Sequence, residues 1–418
     1  MPSTHVRPRR VGLLCVLAGA SLSLTACTGA TVAPPAVVDP ATSWSLVTSA
    51  AQGQTVNLWM YGGDDLGNSY VDKILAPAAA AQGVTIHRVP ITDTADALNR
   101  VVSETTAGRT MDGSVDLVWV NGENFRTGAQ ASLWKCGWAT SLPNARYLDA
   151  RDPLLLNDFG TPVNGCEAPW HKAQFVIAYD SAKVTSPPTS IPELLTWAQD
   201  HPARFTYPQP PDFTGSAFVR QALYGISGGV ASVPSTYDAA TAQPLEDALW
   251  SKLSGVAPSL WRGGQTYPRD LTALDKLYSD GQVWFTMTYG PATIDARVKD
   301  GTFPATTKVL SLRDGSLGNA SFLAIPANAA HSAAAQVVAN LALSPEQQAA
   351  KADPSTWGQY TVLDVTKVPE SLRAPLEARS ATSVVPPFST LSTSSNPELS
   401  ATWVTPLEQG WRKSVLGG

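Results

Sequence analysis

The stretch VNLWMYGGDDLGN, residues 56–68, decides the fold. Val56 to Met60 is an apolar run of strand length, and Tyr61-Gly62-Gly63-Asp64 is a glycine turn. Asn68 is placed to cap a helix that runs to the stop at Gln82-Gly83. Val84 to Ile91 alternates as a second strand. Thr94 to Gly108 carries helical spacing at Leu98, Val101 and Val102, and Asp116 to Val120 is a third strand. Strand, helix, strand, helix, strand predicts a parallel sheet covered by helices. The loops that matter in such sheets lie beyond the carboxyl ends of the strands. Here they are Tyr61 to Asn68 and Asn121 to Phe125.

The same logic continues downstream. Phe175 to Tyr179 reads as a strand, Ile191 to Asp200 as a helix and Phe205 to Tyr207 as a short strand. Pro211 to Ser216 opens a helix through Tyr224. A helix over Asp270 to Gly281 precedes a strand at Val283 to Thr288 and the turn Tyr289-Gly290-Pro291. Ser321 to Ile325 is a strand, and His331 to Leu343 is a helix stopped by Ser344-Pro345. Pro386 to Pro397 is irregular, and no internal repeat is present.

With 418 residues and 44% hydrophobic content the chain suits two lobes with sizeable cores. Its net charge of -5 and the lack of Lys/Arg runs in its body argue against nucleic acid as a partner. Arg7, Arg9 and Arg10 precede the apolar stretch Val11 to Leu24, which is short for a membrane span. Leu24-Thr25-Ala26-Cys27 resembles a bacterial lipobox. It implies a signal peptide over 1–26, general secretion, and a lipid on Cys27 at the outer face of the cell membrane. The alternative is an ordinary secretory signal with a chance cysteine. Residues 27–41 are Ala/Pro-rich and read as a tether. Cys15 leaves with the signal, so Cys136 and Cys166 remain as a disulfide or as two buried thiols.

Four segments together resemble a type II solute-binding protein of ATP-driven importers: VNLWMYGGD, APWHKAQFVIAYDSAKV with PPTSIPELLTWA, DGQVWFTMTYGPA, and ASFLAIPANAAHSAAAQVVANLALSPEQQAAK. WMYGGD, DLVWVNGENF, DFTGSAFVRQALYG and WGQYTVLD are similar to the YnjB-type branch, which sits near binders of thiamine, polyamines and iron. The resemblance implies an α/β fold of two lobes, each a mainly parallel sheet flanked by helices, joined by crossing hinge strands near Lys172 to Phe175 and Ser321 to Ala324. Lobe one would be 42–172 plus 324–350, lobe two 173–323, and 351–418 a helical tail packed across both. It also implies a monomer that delivers a small molecule to a permease and, through it, an ATPase, with no cofactor and no catalysis.

Candidate ligand residues follow from position. Trp59, Tyr61, Gly62, Gly63 and Asp64 end the first strand, and Asn68 starts the helix; the competing reading is a tight turn with a cap. Asn121, Glu123 and Asn124 follow the third strand, where a polar cap is the alternative. Trp170 can form an aromatic wall or belong to the core. Thr214, Gly215 and Ser216 open a helix whose free N–H groups attract polar oxygens, or are simply capped. Tyr289 can stack on a ligand. Aromatic faces with Asp64 and Glu123 suit a cation, thiamine-like or amine-like; the helix-start donors would suit an anion.

Gly225-Ile226-Ser227-Gly228-Gly229 fits G-x-S-x-G but follows a helix rather than a strand. The competing functional class is an extracytoplasmic hydrolase-like enzyme or an adhesion lipoprotein on the same fold. His87, His171, His201 and His331 are too scattered for a metal site.

Overall fold

The computed structural model describes residues 44–377, 383–391 and 395–417. The signal segment, Cys15, Cys27 and the tether lie outside the described residues. The first described element is the helix Trp44–Ala51.

Period-two burial makes β1 (Thr55–Tyr61), which sinks Val56, Leu58 and Met60 into one face. A helix then covers 65–80, with a π turn at Val71–Leu75. Its cap is Asp64, not Asn68: the Asp64 side chain accepts from Gly67 N at 2.9 Å. Gly83, at φ 78°, supplies the left-handed residue that ends the run before β2 (Thr85–Ile91). β2 lies parallel to β1 along its whole length. Asp93 caps the helix Thr94–Thr106, and β3 (Leu117–Val120) pairs parallel with the other side of β1.

After a two-residue hairpin, β4 (Asn157–Asp158) and β5 (Thr161–Pro162), comes β6 (Glu167–Gln174). Phe175 alone separates it from β7 (Val176–Asp180). β8 (Phe285–Thr288) and β9 (Thr307–Val309) both run antiparallel to β7. β10 (Ser316–Ala324) returns to the first sheet, antiparallel to β3 and to β6, and β11 (Ser395–Pro397) pairs parallel with its start.

The mainly parallel pattern expected of both sheets therefore holds in β2-β1-β3, while the second sheet, β8-β7-β9, alternates. β8, the helix Pro291–Lys299 and β9 form a strand–helix–strand unit whose strands run the same way. β7 fills the gap between them in the opposite sense. Phe205 to Tyr207 is not a strand but a fully buried extended segment. Ser344 stops one helix (Ser332–Ala342) and caps another, Pro345–Ala352.

The chain passes between the sheets at Phe175 and again over 310–315, not at Ser321 to Ala324, which sits inside the first sheet. The turn-like DGSLGN run disguised the first half of β10. At the passage Phe175 N donates to Leu317 O at 2.7 Å, and Gln174 Nε2 donates to Ser316 O at 2.7 Å. Gln221, from the helix Phe213–Ser227, brackets the crossing: Nε2 donates to Gly315 O at 3.0 Å and Oε1 accepts from Leu317 N at 2.9 Å.

One core gathers Leu58, Met60, Trp170, Val338 and, from the tail, Trp357 and Val362. A second gathers Phe175, Phe205, Phe218, Phe285 and the tail residues Trp403 and Trp411. Cys136 and Cys166 are joined as a disulfide.

Candidate ligand-binding site

The loop after β1 is built by close backbone approach. A Cβ on Gly62 would stand 2.9 Å from Pro90 Cβ, and one on Gly63 would collide with the Tyr61 ring. Asp64 is committed to this loop, because besides its cap it accepts from Trp357 Nε1 at 2.7 Å. Burial pushes its carboxyl pKa up, and those hydrogen bonds partly oppose the shift. Asn68 is committed as well: Nδ2 donates to Gly62 O at 2.8 Å, and Oδ1 accepts from Arg88 at 3.1 Å. Tyr61 remains 44% exposed. Its phenol is held protonated by partial burial, then by the negative charges of Asp212, Asp270 and Asp64. Asp212 and Asp270 belong to the elements around the second sheet, so charge from that side reaches Tyr61.

The loop after β3 adds a second wall. Gly122, at φ 62°, donates its N–H to both oxygens of Asp158, at 2.7 and 2.8 Å. Its missing side chain leaves room for the Phe159 ring, 3.3 Å from where a Cβ would lie. Glu123 accepts from Thr405 Oγ1 of the tail at 2.7 Å. Asn121 precedes the helix Gly122–Gln130 without capping it, and Asn121 and Asn124 are half-buried.

The opposite side is the start of the helix Phe213–Ser227. Asp212 caps it: Oδ1 accepts from Thr214 N at 3.0 Å and Gly215 N at 2.9 Å. The donors expected to be free for an anion are thus met by the chain's own carboxylate. Gly215 is required because a Cβ would strike Pro208 O. Ser216 Oγ accepts from Arg220 Nη1 at 2.8 Å. Phe213 stays 43% exposed, its ring 5.3 Å from that of Tyr289 and 6.5 Å from that of Phe159. Tyr289 packs 5.5 Å from Phe175 and donates its hydroxyl to Glu398. Glu398 is gripped by Arg220 through Nε at 2.8 Å and Nη2 at 3.1 Å, and the guanidinium lies 5.3 Å over Phe159.

The structure thus brings Tyr61, Thr214, Ser216 and Tyr289 to one seam with Phe159, Asp212, Phe213, Asp270, Arg220 and Glu398, which the sequence reading did not select. DFTGS pointed to the right turn, but its Asp and Phe are the side chains that matter. Trp170 is not a cleft wall. It is fully buried, 5.4 Å from Trp119 and 5.1 Å from Trp357, and its carbonyl accepts from Gln348 and Lys351. Trp59 is half-buried against the Ile91, Leu98 and Val101 cluster.

Residues 73–370 match the bacterial extracellular solute-binding protein family. The chain belongs to that family. This solute-binding protein is 39% identical over 371 residues to protein YnjB of Escherichia coli K12, covering 89% of the chain and 93% of that protein. Its fold is shared with the spermidine/putrescine transporter substrate-binding protein PotD of Streptococcus pneumoniae, at TM-score 0.58, 11% identity and coverage of 86% and 98%. The periplasmic binding protein AfuA of Actinobacillus pleuropneumoniae, with fructose-6-phosphate bound, aligns at TM-score 0.60, 10% identity and coverage of 87% and 99%. A transporter substrate-binding protein of Bradyrhizobium japonicum gives TM-score 0.61, 17% identity and coverage of 86% and 99%. The two sheets and their crossing strands are therefore those of the type II periplasmic-binding-protein fold, here carried by a bacterial extracellular solute-binding protein. Ser227, the serine of G-x-S-x-G, closes a helix, and Gly228 at φ 85° is that helix's stop. Among the described residues no helix is long and apolar enough to cross a membrane, and no group of three or more His, Cys, Asp or Glu side chains could hold a metal ion.

Proposed function

We propose that this solute-binding protein is a lipid-anchored monomer that captures a small cationic molecule, thiamine-like or amine-like, at the seam between two lobes and delivers it to a membrane permease. With the crossings at Phe175 and 310–315, the lobes would be about 44–174 with 316–350, and about 176–309, with the tail from 351 packed across them. Solute touching both lobes would favour the closed arrangement. The observation that carries the reading is the seam itself. Tyr61 and Phe213 are large aromatics left substantially exposed, and Tyr61 feels the negative charges of Asp212, the cap next to Phe213, and of Asp270, which is paired with Arg269. Exposed aromatic faces beside acids recognise cations through ring quadrupoles and charge. Supporting this over an anionic solute, the helix-start donors at Thr214 and Gly215 are already occupied by Asp212.

The test is calorimetric titration of the mature domain, unfolded and refolded to remove carried-over solute, with thiamine, its phosphates, putrescine, spermidine and choline. Saturable binding of one of these cations, weakened at least fivefold by Phe213→Ala, supports the reading. Binding of sugar phosphates alone would sink the cationic class while leaving the receptor role in place.

A further inference from the structure

The tail meets the two lobes on unequal terms. Trp403, Leu407 and Trp411, four residues apart, put one face of the helix Val404–Trp411 and its lead-in turn into the second core. Trp403 Nε1 donates to Pro234 O at 3.0 Å and Trp411 Nε1 to Tyr207 OH at 2.9 Å. Contact with the first lobe is slight. Ala401 and Val404 form a small apolar cluster with Phe159, separate from the main cores. Ala401 N donates to Phe159 O at 2.9 Å, and Thr405 Oγ1 donates to Glu123 at 2.7 Å. Phe159 and Gly160 are the two-residue tip of the β4–β5 hairpin, which the first lobe holds through Asp158 and the Gly122 N–H. Both tip residues have positive φ, 43° and 73°. Such a tip favours Asn-Gly, so the phenylalanine works against its own turn. A residue held in that conformation needs surroundings that over-determine it. The Phe159 surroundings come largely from across the seam: the Arg220 guanidinium 5.3 Å over the ring, Phe213 at 6.5 Å, and the tail. They leave a hairpin tip only 5% exposed.

We propose that Phe159 is an interlobe latch: the hairpin tip of the first lobe is caught by the second lobe and the tail rooted in it, which holds the receptor closed before solute arrives. The latch rests on the two-lobe reading above, but not on the charge of the solute. A solute that must touch both lobes then meets a receptor already closed, and its apparent affinity scales with the closed fraction.

The experiment is pulsed dipolar spectroscopy on the refolded, solute-free mature protein. Nitroxides are placed by Thr105→Cys and Lys252→Cys, exposed positions on the helices Thr94–Thr106 and Ala239–Val256 of the two lobes. The unlatched background is expected to give one dominant distance, that of the present structure. Phe159→Asn suits the turn and removes the ring, and Val404→Ser weakens the tail side. Each should lower the closed-to-open ratio about tenfold, seen as a second, longer distance. Thr405→Val, an isosteric change at an exposed hydrogen bond, leaves the fold intact and should lower the ratio about threefold. Ser254→Ala cuts a contact at the root of the tail, where Ser254 Oγ donates to Ser414 O at 2.8 Å, and should leave the distance unchanged. The proposal is overturned if the solute-free protein with Phe159 intact is already spread over longer distances, or if Phe159→Asn and Thr405→Val both keep the single short one. It is overturned too if Ser254→Ala opens the seam as far as Phe159→Asn, since the tail would then be loosened as a whole. No solute enters the experiment, so a failed latch beside cation binding, or a working latch without it, separates this proposal from the cationic reading.

Discussion

Replacing Glu398 with methionine tests how the tail is fixed to the second core. The Arg220 and Glu398 side chains are each 2% exposed and joined by two hydrogen bonds of 2.8 and 3.1 Å. Removing one partner strands a buried charge, which costs about 3–5 kcal/mol. For a chain of this length that is a loss of roughly 4–6 °C in Tm. Arg220→Met should cost a similar amount, since it leaves Glu398 beside Tyr289 and within reach of Asp158. The double variant replaces both charges with apolar volume, leaves the Tyr289 hydroxyl short of a partner at about 1 kcal/mol, and removes the Arg220 charge from Glu408 while Ser216 keeps Glu408 as a partner. It should therefore be no less stable than either single variant. Urea unfolding of all four proteins, with slopes checked for equality, closes the cycle. Single losses below about 1 kcal/mol, or a double loss equal to the sum of the singles, would refute the view that this pair is a desolvated unit.

Four further outcomes are expected. Tyr61→Ala should weaken binding of a cationic solute by about fivefold to thirtyfold, the range of a partly desolvated cation–π contact, as read by calorimetry. Trp357→Phe removes the N–H that meets buried Asp64 and should cost about 1–3 kcal/mol in urea unfolding. Burial raises Asp275 to about 6, against hydrogen bonding from Thr286 and the charge of Arg297. A raised acid favours folding below the unfolded pKa and loses that contribution as pH rises through the folded one, here about 3 kcal/mol between pH 4 and 6. Asp275→Asn should flatten that part of the stability profile, and an unchanged slope would count against it. Reducing the Cys136–Cys166 bridge, whose partners are 30 residues apart, should lower stability by about 3.5 kcal/mol on the loop-entropy account, measured by denaturation with and without reductant.

What was legible was what is local. Alternation in Val56 to Met60, the glycine turn and the helix spacing around Leu98 fixed the parallel half of the first sheet, because each signal needs only a few neighbouring residues. Capping was legible in kind but not in place. In GGDDLGN both Asp64 and Asn68 are good caps, and the choice fell to Asp64 because Trp357, 293 residues away, holds its second oxygen. The alternation of β7 was hidden for a related reason: β8, a helix and β9 have the pattern of a parallel pair, and nothing nearby says that an earlier strand lies between them.

The seam was the least legible part because its chemistry is made of distant pairs. Arg220 meets Glu398 across 178 residues, and Glu123 meets Thr405 across 282. In sequence Arg220 is one of several polar residues in a largely apolar helix, and Glu398 follows a Ser/Pro stretch with no periodicity. Phe159 reads as part of a turn, and only Gly122, with no side chain in the way, makes room for its ring. The tail therefore does more than cover the lobes. By supplying Glu398 to Arg220 it neutralises a buried guanidinium that lies over Phe159. A chain whose tail lacked Glu398 would present a poorly compensated guanidinium beside Phe159, and the proposed preference for a cationic solute should then weaken.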